Sequence, residues 1–396
     1  MDFELTPAER LLRDTVRDFA RSEIAPVAQQ LDRDHAFPYE IIRKLGEMEL
    51  MGIPFPAKYG GGGGTSSEYA LVVEELTRVD SSVAITLCAH TSLGTQPLYL
   101  FGSEEQKLRY MPALCSGSML GSFGLTEPEA GSDAGNTQTR AELRDGEWVV
   151  NGSKQFITNA GTDISGLVVI TAVTGEGPQA DQPASSGSAR SGRPRPQISN
   201  LLIERGTPGY EPGEPYMKMG WHASDTRPLS FKDCHIPEEN LIGKRGYGLN
   251  QFFQVLDIGR IGVAAMGVGL AQGALDLALA YARERKAFGQ PISRYQTIQA
   301  KLANLATEIE ACRLLVQKAA WLKDQGKNFS LVAAQAKLKS GRLAVHAADE
   351  AVQIHGGNGF MDDYAVSRFY RDAKILTIGE GTDEIQELVI ARALGA

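Results

Sequence analysis

Apolar positions in the first part of the chain recur at helical spacing. Leu12, Val16 and Phe19 follow one another at intervals of three and four. Ahead of them, Thr6-Pro7-Ala8-Glu9 combines a capping-box spacing with proline at the first helical position. The pattern predicts a helix there and a second over residues 39–51, stopped by Gly52 and Pro54. A third is expected over 69–79, behind the capping box Thr65-Ser66-Ser67-Glu68, and a fourth follows Ser103-Glu104-Glu105-Gln106. The run Gly60 to Gly64 is too glycine-rich for regular structure. It lacks the lysine and serine that a phosphate loop places at fixed offset, so it reads as a plain connection.

Near Gly121 the period changes. Trp148-Val149-Val150-Asn151-Gly152-Ser153-Lys154 reads as a strand and a tight hairpin, Asn-Gly suiting positive backbone angles. Phe156-Ile157-Thr158, residues 167–171, residues 198–203 and Ser230-Phe231 are further β-prone runs. They predict a small β domain interrupted at 174–196, where Gly, Pro, Ser, Ala and Gln dominate. That segment buries too little to offset its ordering entropy, which predicts a disordered surface insertion carrying solvated Arg190, Arg193 and Arg195. Beyond Tyr247, residues 256–283, 296–323 and 331–353 are long, alanine-rich and helical in period, with Leu302, Leu305, Ile309 and Cys312 on one stripe. Short connections between them predict an antiparallel bundle.

Composition narrows the class. The chain has 396 residues, more than one core usually holds, and the expected domains are 1–120, 121–240 and 241–396. A net charge of -8 argues against nucleic acid or an anionic membrane as the main partner. Cys88, Cys115, Cys234 and Cys312 lack metal-ligand spacing and read as reduced thiols, so no metal and a cytoplasmic location are expected. The uncharged stretch 261–275, bracketed by Arg260 and Asp276, is too short to span a bilayer.

Candidate chemistry centres on Glu380, which stands between Gly379 and Gly381 just before a last helix. Glycine on both sides lets a ligand approach closely, which suits a base. The same residues also allow an exposed glutamate favoured by a helix dipole.

Two strings decide between these. Gly379-Glu380-Gly381-Thr382-Asp383-Glu384-Ile385-Gln386 resembles the base-bearing signature of the acyl-CoA dehydrogenases. Phe123-Gly124-Leu125-Thr126-Glu127-Pro128-Glu129-Ala130-Gly131-Ser132-Asp133 resembles that family's T-E-P-x-A-G-S-D run, and the resemblance spans essentially the whole chain. It implies a multi-domain α+β fold: an N-terminal all-α domain, a middle small β-barrel-like domain and a C-terminal antiparallel four-helix bundle. It implies FAD held by Phe123, Leu125, Thr126 and Ser132, with Thr126 bonding the isoalloxazine and Ser132 where the flavin and acyl-CoA sites adjoin. Phe156 and Thr158 fall on the family's W-I-T strand, where phenylalanine keeps ring stacking but loses an indole donor.

Arg285 and Phe288 lie in a segment resembling R-x-x-F-G, and such an arginine matches the FAD pyrophosphate. Tyr295 and Gln296 match a further flavin-contacting pair. Gln353-Ile354-His355-Gly356-Gly357 resembles Q-x-x-G-G, which receives the dinucleotide of a neighbouring subunit, so a homotetramer is implied. His355 is structural in this reading. Thr382 and Glu384 complete the cofactor contacts. Substrate contacts fall on Ser132, Gly381, and Asp257 and Arg260 at the CoA end. Gly259 occupies the position where one branch of the family places its base, which leaves Glu380 as the candidate.

The implied reaction is α,β-dehydrogenation of an acyl-CoA to a trans-2-enoyl-CoA, with Glu380 taking the α-proton and electrons passing to an electron-transferring flavoprotein. The short-chain and branched short-chain dehydrogenases resemble the chain most. Gly379 replaces a frequent tyrosine, and Gly220-Trp221-His222-Ala223-Ser224 replaces the commoner G-x-R-G-S, which leaves acyl specificity open. An acyl-CoA oxidase using oxygen and a non-catalytic flavin- or acyl-CoA-binding protein are the competing readings.

Overall fold

The computed structural model describes residues 4–176 and 196–396. In chain order the helices are α1 (Pro7–Phe19), α2 (Ala25–Asp34), α3 (Tyr39–Glu47), α4 (Ser66–Thr77), α5 (Ser81–Ala89), α6 (Gln96–Phe101), α7 (Glu104–Cys115), α8 (Gly248–Glu284), α9 (Gln296–Asp324), α10 (Ser330–His355), α11 (Ala365–Ala373) and α12 (Asp383–Leu394). The strands are β1 (Leu120–Gly124), β2 (Arg140–Arg144), β3 (Glu147–Thr158), β4 (Ser165–Glu176), β5 (Pro196–Glu204), β6 (Tyr210–Pro212), β7 (Thr226–Pro237), β8 (Leu241–Ile242), β9 (Lys286–Ala287) and β10 (Gln290–Pro291). The chain divides into two compact units, Met1–Cys88 with Met217–Ser224 and Asp257–Ala396, and Ala89–Tyr216 with Asp225–Leu256. Most of both helical ends falls in the first unit.

In the first unit two of the three expected capping boxes start α1 and α4. Thr6 accepts from the Glu9 amide, and the Glu9 carboxylate accepts from the Thr6 amide at 2.7 Å. Thr65 and Glu68 do the same for α4. Arg17 then forks onto buried Glu75 at 2.6 and 2.9 Å, fastening α1 to α4. Helix α3 stops at Glu47, short of the expected residue 51, because Glu49 turns the chain at φ 59° before Gly52 is reached. Residues 217–224 join this unit through the Trp221 amide, which donates to Asp372 at 2.7 Å. Asp372 also accepts from Ser81 at 2.6 Å.

Helix α8 is long and apolar enough to cross a membrane, but 72% of its most apolar window is buried inside the protein, as in a core helix. Its glycines allow backbone contact. A Cβ on Gly269 would lie 2.3 Å from the Glu74 carbonyl oxygen on α4, and one on Gly273 2.3 Å from the Arg78 carbonyl oxygen. Helix α10 packs against α9, α11 and α12, burying Ala333, Lys337, Ser340, Gly341 and Ala344 on one face.

The second unit carries a sheet in the order β6-β7-β3-β2-β4-β5-β8, with β1 parallel to β4. Trp148, Val150, Ile170, Leu201, Ile203 and Phe231 meet in one cluster inside it. The hairpin turn is Asp145-Gly146, at φ 50° and 83°, and not the expected Asn151-Gly152. Strand β3 runs straight through 151–152 with a register shift, where a Cβ on Gly152 would lie 2.5 Å from Thr139 Oγ1. The β4–β5 ladder extends to Glu176 opposite Pro196, so the ends of the expected 174–196 insertion are paired strand. Residues 177–195 lie outside the described residues. In the same unit, buried His90 accepts from the Gly121 amide at 3.0 Å and reaches the Leu114 carbonyl at 2.9 Å. Burial pushes it down to about 4, so it is a neutral structural histidine.

The α4–α8 contact yields a direct test. Gly269→Ala forces a methyl onto a carbonyl that cannot move aside, at a cost of about 2 kcal/mol. Thermal unfolding should show a melting point lower by several degrees, whereas Gly135→Ala, whose Cβ would meet only Leu249 at 3.9 Å, should be silent.

Candidate active site

In the first unit a 3-10 turn, Lys374–Thr377, delivers the chain into Gly379-Glu380-Gly381. Glu380 takes φ 52° and Gly381 φ 95°, so the backbone doubles back before Thr382 caps α12. A Cβ on Gly381 would sit 2.6 Å from the Gln386 side-chain nitrogen. The Gly381 carbonyl accepts from Lys337 Nζ at 2.6 Å and from Gln386 at 3.0 Å.

Glu380 is partly exposed as a residue, yet both carboxylate oxygens are shut from solvent and have no hydrogen-bond partner among the described residues. Burial pushes this carboxyl up to about 7, against the smaller pull of Lys337 and then Arg260. The exposed helix-start glutamate that the sequence also allowed is therefore not what the chain builds. Asp257 and Arg260, on α8, form an ion pair with each other, with the guanidinium buried. Arg260 also acts on Glu380 through its charge. Asp257 is raised by its own burial. A buried carboxylate with no partner, titrating near neutrality, is equipped to take a proton.

In the second unit the 123–133 loop is held by a buried charge pair. Glu127 accepts from Lys154 Nζ and from the Gln138 amide at 2.6 Å each, and from Thr137 at 2.9 Å. Lys154 is fully buried and also reaches the Leu125 carbonyl at 3.2 Å. Burial lowers Lys154 to about 8. Burial raises Glu127, but Lys154 and the Gln138 amide outweigh it and leave the carboxyl below its ordinary value. Both are therefore ionised at neutral pH. Phe123, half-buried, stacks on Phe252 at 5.2 Å, Leu125 and Thr126 are half-buried, and Ser132 is exposed. Phe156 sits at φ 61° where β3 shifts register, 61% exposed beside Tyr216, and Thr158 ends the strand.

The remaining residues chosen from the sequence lie in the first unit. Arg285 is exposed before a hairpin of β9 and β10, whose turn Phe288-Gly289 takes φ 49° and 87°. Phe288 is 96% exposed, and Tyr295 supports the hairpin by donating to the Ala287 carbonyl at 2.7 Å. Gln296 and Gln353 are exposed, whereas the Ile354 side chain is buried and can offer only its backbone. Gly356 and Gly357 border open space. His355 is buried, stacked on Tyr281 at 4.1 Å and bonded to the Ala351 carbonyl at 2.8 Å. Thr382 is the N-cap, accepting from the Ile385 amide, and exposed Glu384 closes back on it. Phe156, Phe288 and Glu380 all hold the left-handed conformation that non-glycine residues avoid, a form of strain that collects at working sites.

Lys337, Lys154 and Gln386 were not chosen as site residues from the sequence. Lys337 had a readable signal. It falls on the helical stripe Ala333, Lys337, Gly341, Ala344, where a charge is out of place.

The acyl-CoA dehydrogenase N-terminal, middle and C-terminal domain models match residues 6–118, 122–234 and 246–395. A probable acyl-CoA dehydrogenase of Bacillus subtilis is 49% identical over 394 residues, covering 100% of both chains. The chain belongs to the acyl-CoA dehydrogenase family. The butyryl-CoA dehydrogenase structure from Megasphaera elsdenii is similar at 40% identity with a TM-score of 0.92, covering 100% of both chains. A chain from the electron transferring flavoprotein structure of Acidaminococcus fermentans is similar at 42% identity and a TM-score of 0.92, covering 100% of this chain and 99% of that one.

This acyl-CoA dehydrogenase is an FAD-dependent oxidoreductase, and its residues fit the group. Phe156 turns a ring outward, the Gly356 and Gly357 peptides are unshielded, and buried Ser122 Oγ has no partner among the described residues. Flat apolar rings and open peptides suit an isoalloxazine and a pyrophosphate.

The Glu127–Lys154 pair is open to test. Lys154→Met strands a buried carboxylate and should cost about 3–5 kcal/mol in urea unfolding. The loop it holds should loosen with it, so the purified variant should carry less FAD by its visible absorbance. The double change Glu127→Met with Lys154→Met should recover most of the stability.

Proposed function

We propose that Glu380 is the α-proton acceptor of a short-chain acyl-CoA dehydrogenase. The observation that carries this is its carboxylate: shut from water, without a hydrogen-bond partner among the described residues, and poised at about 7. A carboxylate in water is too weak a base for a carbon acid, and one fixed by an ion pair is weaker still. Glu380 avoids both. It takes the α-proton, the freed electron pair forms the double bond, and the β-hydrogen leaves as hydride, giving a trans-2-enoyl-CoA. FAD, when bound, supplies the two-electron acceptor for that hydride.

In this reading the Glu380 N–H donates to the thioester carbonyl, which acidifies the α-carbon. Lys337 and Gln386 keep the turn rigid by holding the Gly381 carbonyl. Phe123, Leu125, Thr126, Ser132, Phe156 and Thr158 hold the flavin. Exposed Arg285, Phe288, Gln353 and Gly356 serve the cofactor of a neighbouring subunit in a homotetramer. The butyryl-CoA dehydrogenase likeness favours a short acyl chain, and the likeness to a flavoprotein-associated chain favours an electron-transferring flavoprotein as acceptor. Four buried cysteines, none in a disulfide, suit the reducing cytoplasm.

Glu380→Gln should keep its FAD and bind butyryl-CoA, yet lose anaerobic flavin bleaching by at least about 100-fold. Bleaching at the wild-type rate would remove Glu380 from the role. In the wild type, the bleaching rate should fall as pH drops through about 7, where the base becomes protonated.

The raised value also has a consequence for stability. The unfolded chain loses this proton at lower pH than the folded one, so ionised Glu380 weakens the fold progressively as pH rises towards and through 7. Glu380→Gln should therefore melt higher than wild type at pH 8 and show little difference at pH 4.5.

A further inference from the structure

We propose that Lys337 is the positioning residue of the base: its buried ammonium fixes the Glu380-Gly381 turn and supplies the positive charge that the carboxylate faces. This rests on the reading of Glu380 as proton acceptor. Lys337 is fully buried on α10, and its Nζ donates to the Gly381 carbonyl at 2.6 Å. A carbonyl alone is poor compensation for a buried ammonium, and an apolar side chain there would be buried at less cost. The charge is therefore retained for something beyond packing.

The groups around it show what. Asp383 and Glu384 on α12, Glu380 in the turn and Arg260 on α8 all act on Lys337 through space. Arg342 pairs with Asp383 at 3.0 Å, and Arg260 pairs with Asp257. Glu384 is exposed and screened by water. Among the described residues Lys337 has no carboxylate in an ion pair; Asp383 is the largest charge acting on it and Glu380 the next. Of the charges acting on Glu380, Lys337 is the largest. Burial brings Lys337 down to about 8, so it remains cationic at pH 7. The two groups form a coupled pair with no hydrogen bond between them: the lysine favours the ionised carboxylate against its burial and leaves both its oxygens free for substrate.

Holoenzymes carrying Lys337→Met, Lys337→Gln and Lys337→Arg decide the matter, with Glu380→Gln alongside. Single-turnover flavin reduction by butyryl-CoA is followed anaerobically from pH 5.5 to 8.5. Lys337→Met and Lys337→Gln should move the acid limb up by about one pH unit, which is about tenfold in rate at pH 6. Lys337→Arg should keep the limb near its wild-type position, with a lower plateau. FAD content should hold in all three.

An acid limb at the wild-type pH in both neutral variants overturns the proposal. So does a limb in Lys337→Arg displaced as far as in Lys337→Met, since that reports packing and not charge. Should Lys337→Met fail to hold FAD, the glutamine and arginine variants decide by the same criterion. Persistent bleaching in Glu380→Gln sinks the base and this inference together; an inactive Glu380→Gln with unmoved limbs sinks only this one.

Discussion

The first unit is organised around one unfavourable burial. Glu380 loses the hydration that would keep it a weak acid, and no ion pair replaces that hydration. A protein keeps such a group only if the surroundings over-determine it. Here they do so through the backbone. Gly381 cannot carry a side chain where it lies, its carbonyl is gripped from two directions, and Thr382 starts α12 immediately afterwards. Substrate chemistry then uses what folding alone would penalise.

The second unit solves the complementary problem with the opposite device. Its loop of cofactor residues is mostly polar and irregular, and cannot be held by a ladder or a helix. A fully buried ion pair holds it, with every bond satisfied that Glu127 can accept. Such a pair adds little net stability compared with apolar packing, but it fixes one geometry. Strain at Phe156, in the same unit, shows that this geometry is imposed rather than relaxed.

Much of this was legible in the sequence where a local rule acts alone. The capping boxes at Thr6, Thr65 and Ser103 fall where their spacing put them, because a hydroxyl and a glutamate or glutamine three residues on have few other uses. The rule failed at Asn151-Gly152, where two signals competed. Asn-Gly suits a hairpin, but Asp145-Gly146 does so equally well, and alternation across Trp148, Val150 and Lys154 carries the strand through. Glu380 stood out because glycines flank it. Lys154 and the buried state of Ile354 did not, since each depends on residues far away in the chain. Lys337 left a trace as a charge on an apolar helical stripe, but its partner is a carbonyl that has no letter of its own.

The glycines of α8 have an evolutionary corollary. Where main chain rests on main chain, as at Gly269 and Gly273, the separation of the two helices does not depend on which apolar residues surround the contact. Those residues are free to drift over generations, trading leucine for methionine or valine, without sliding the helix along its neighbour. Arg260 rides on that same rod and keeps its address through such turnover, so relatives with little else in common at these positions should still agree on where that guanidinium stands.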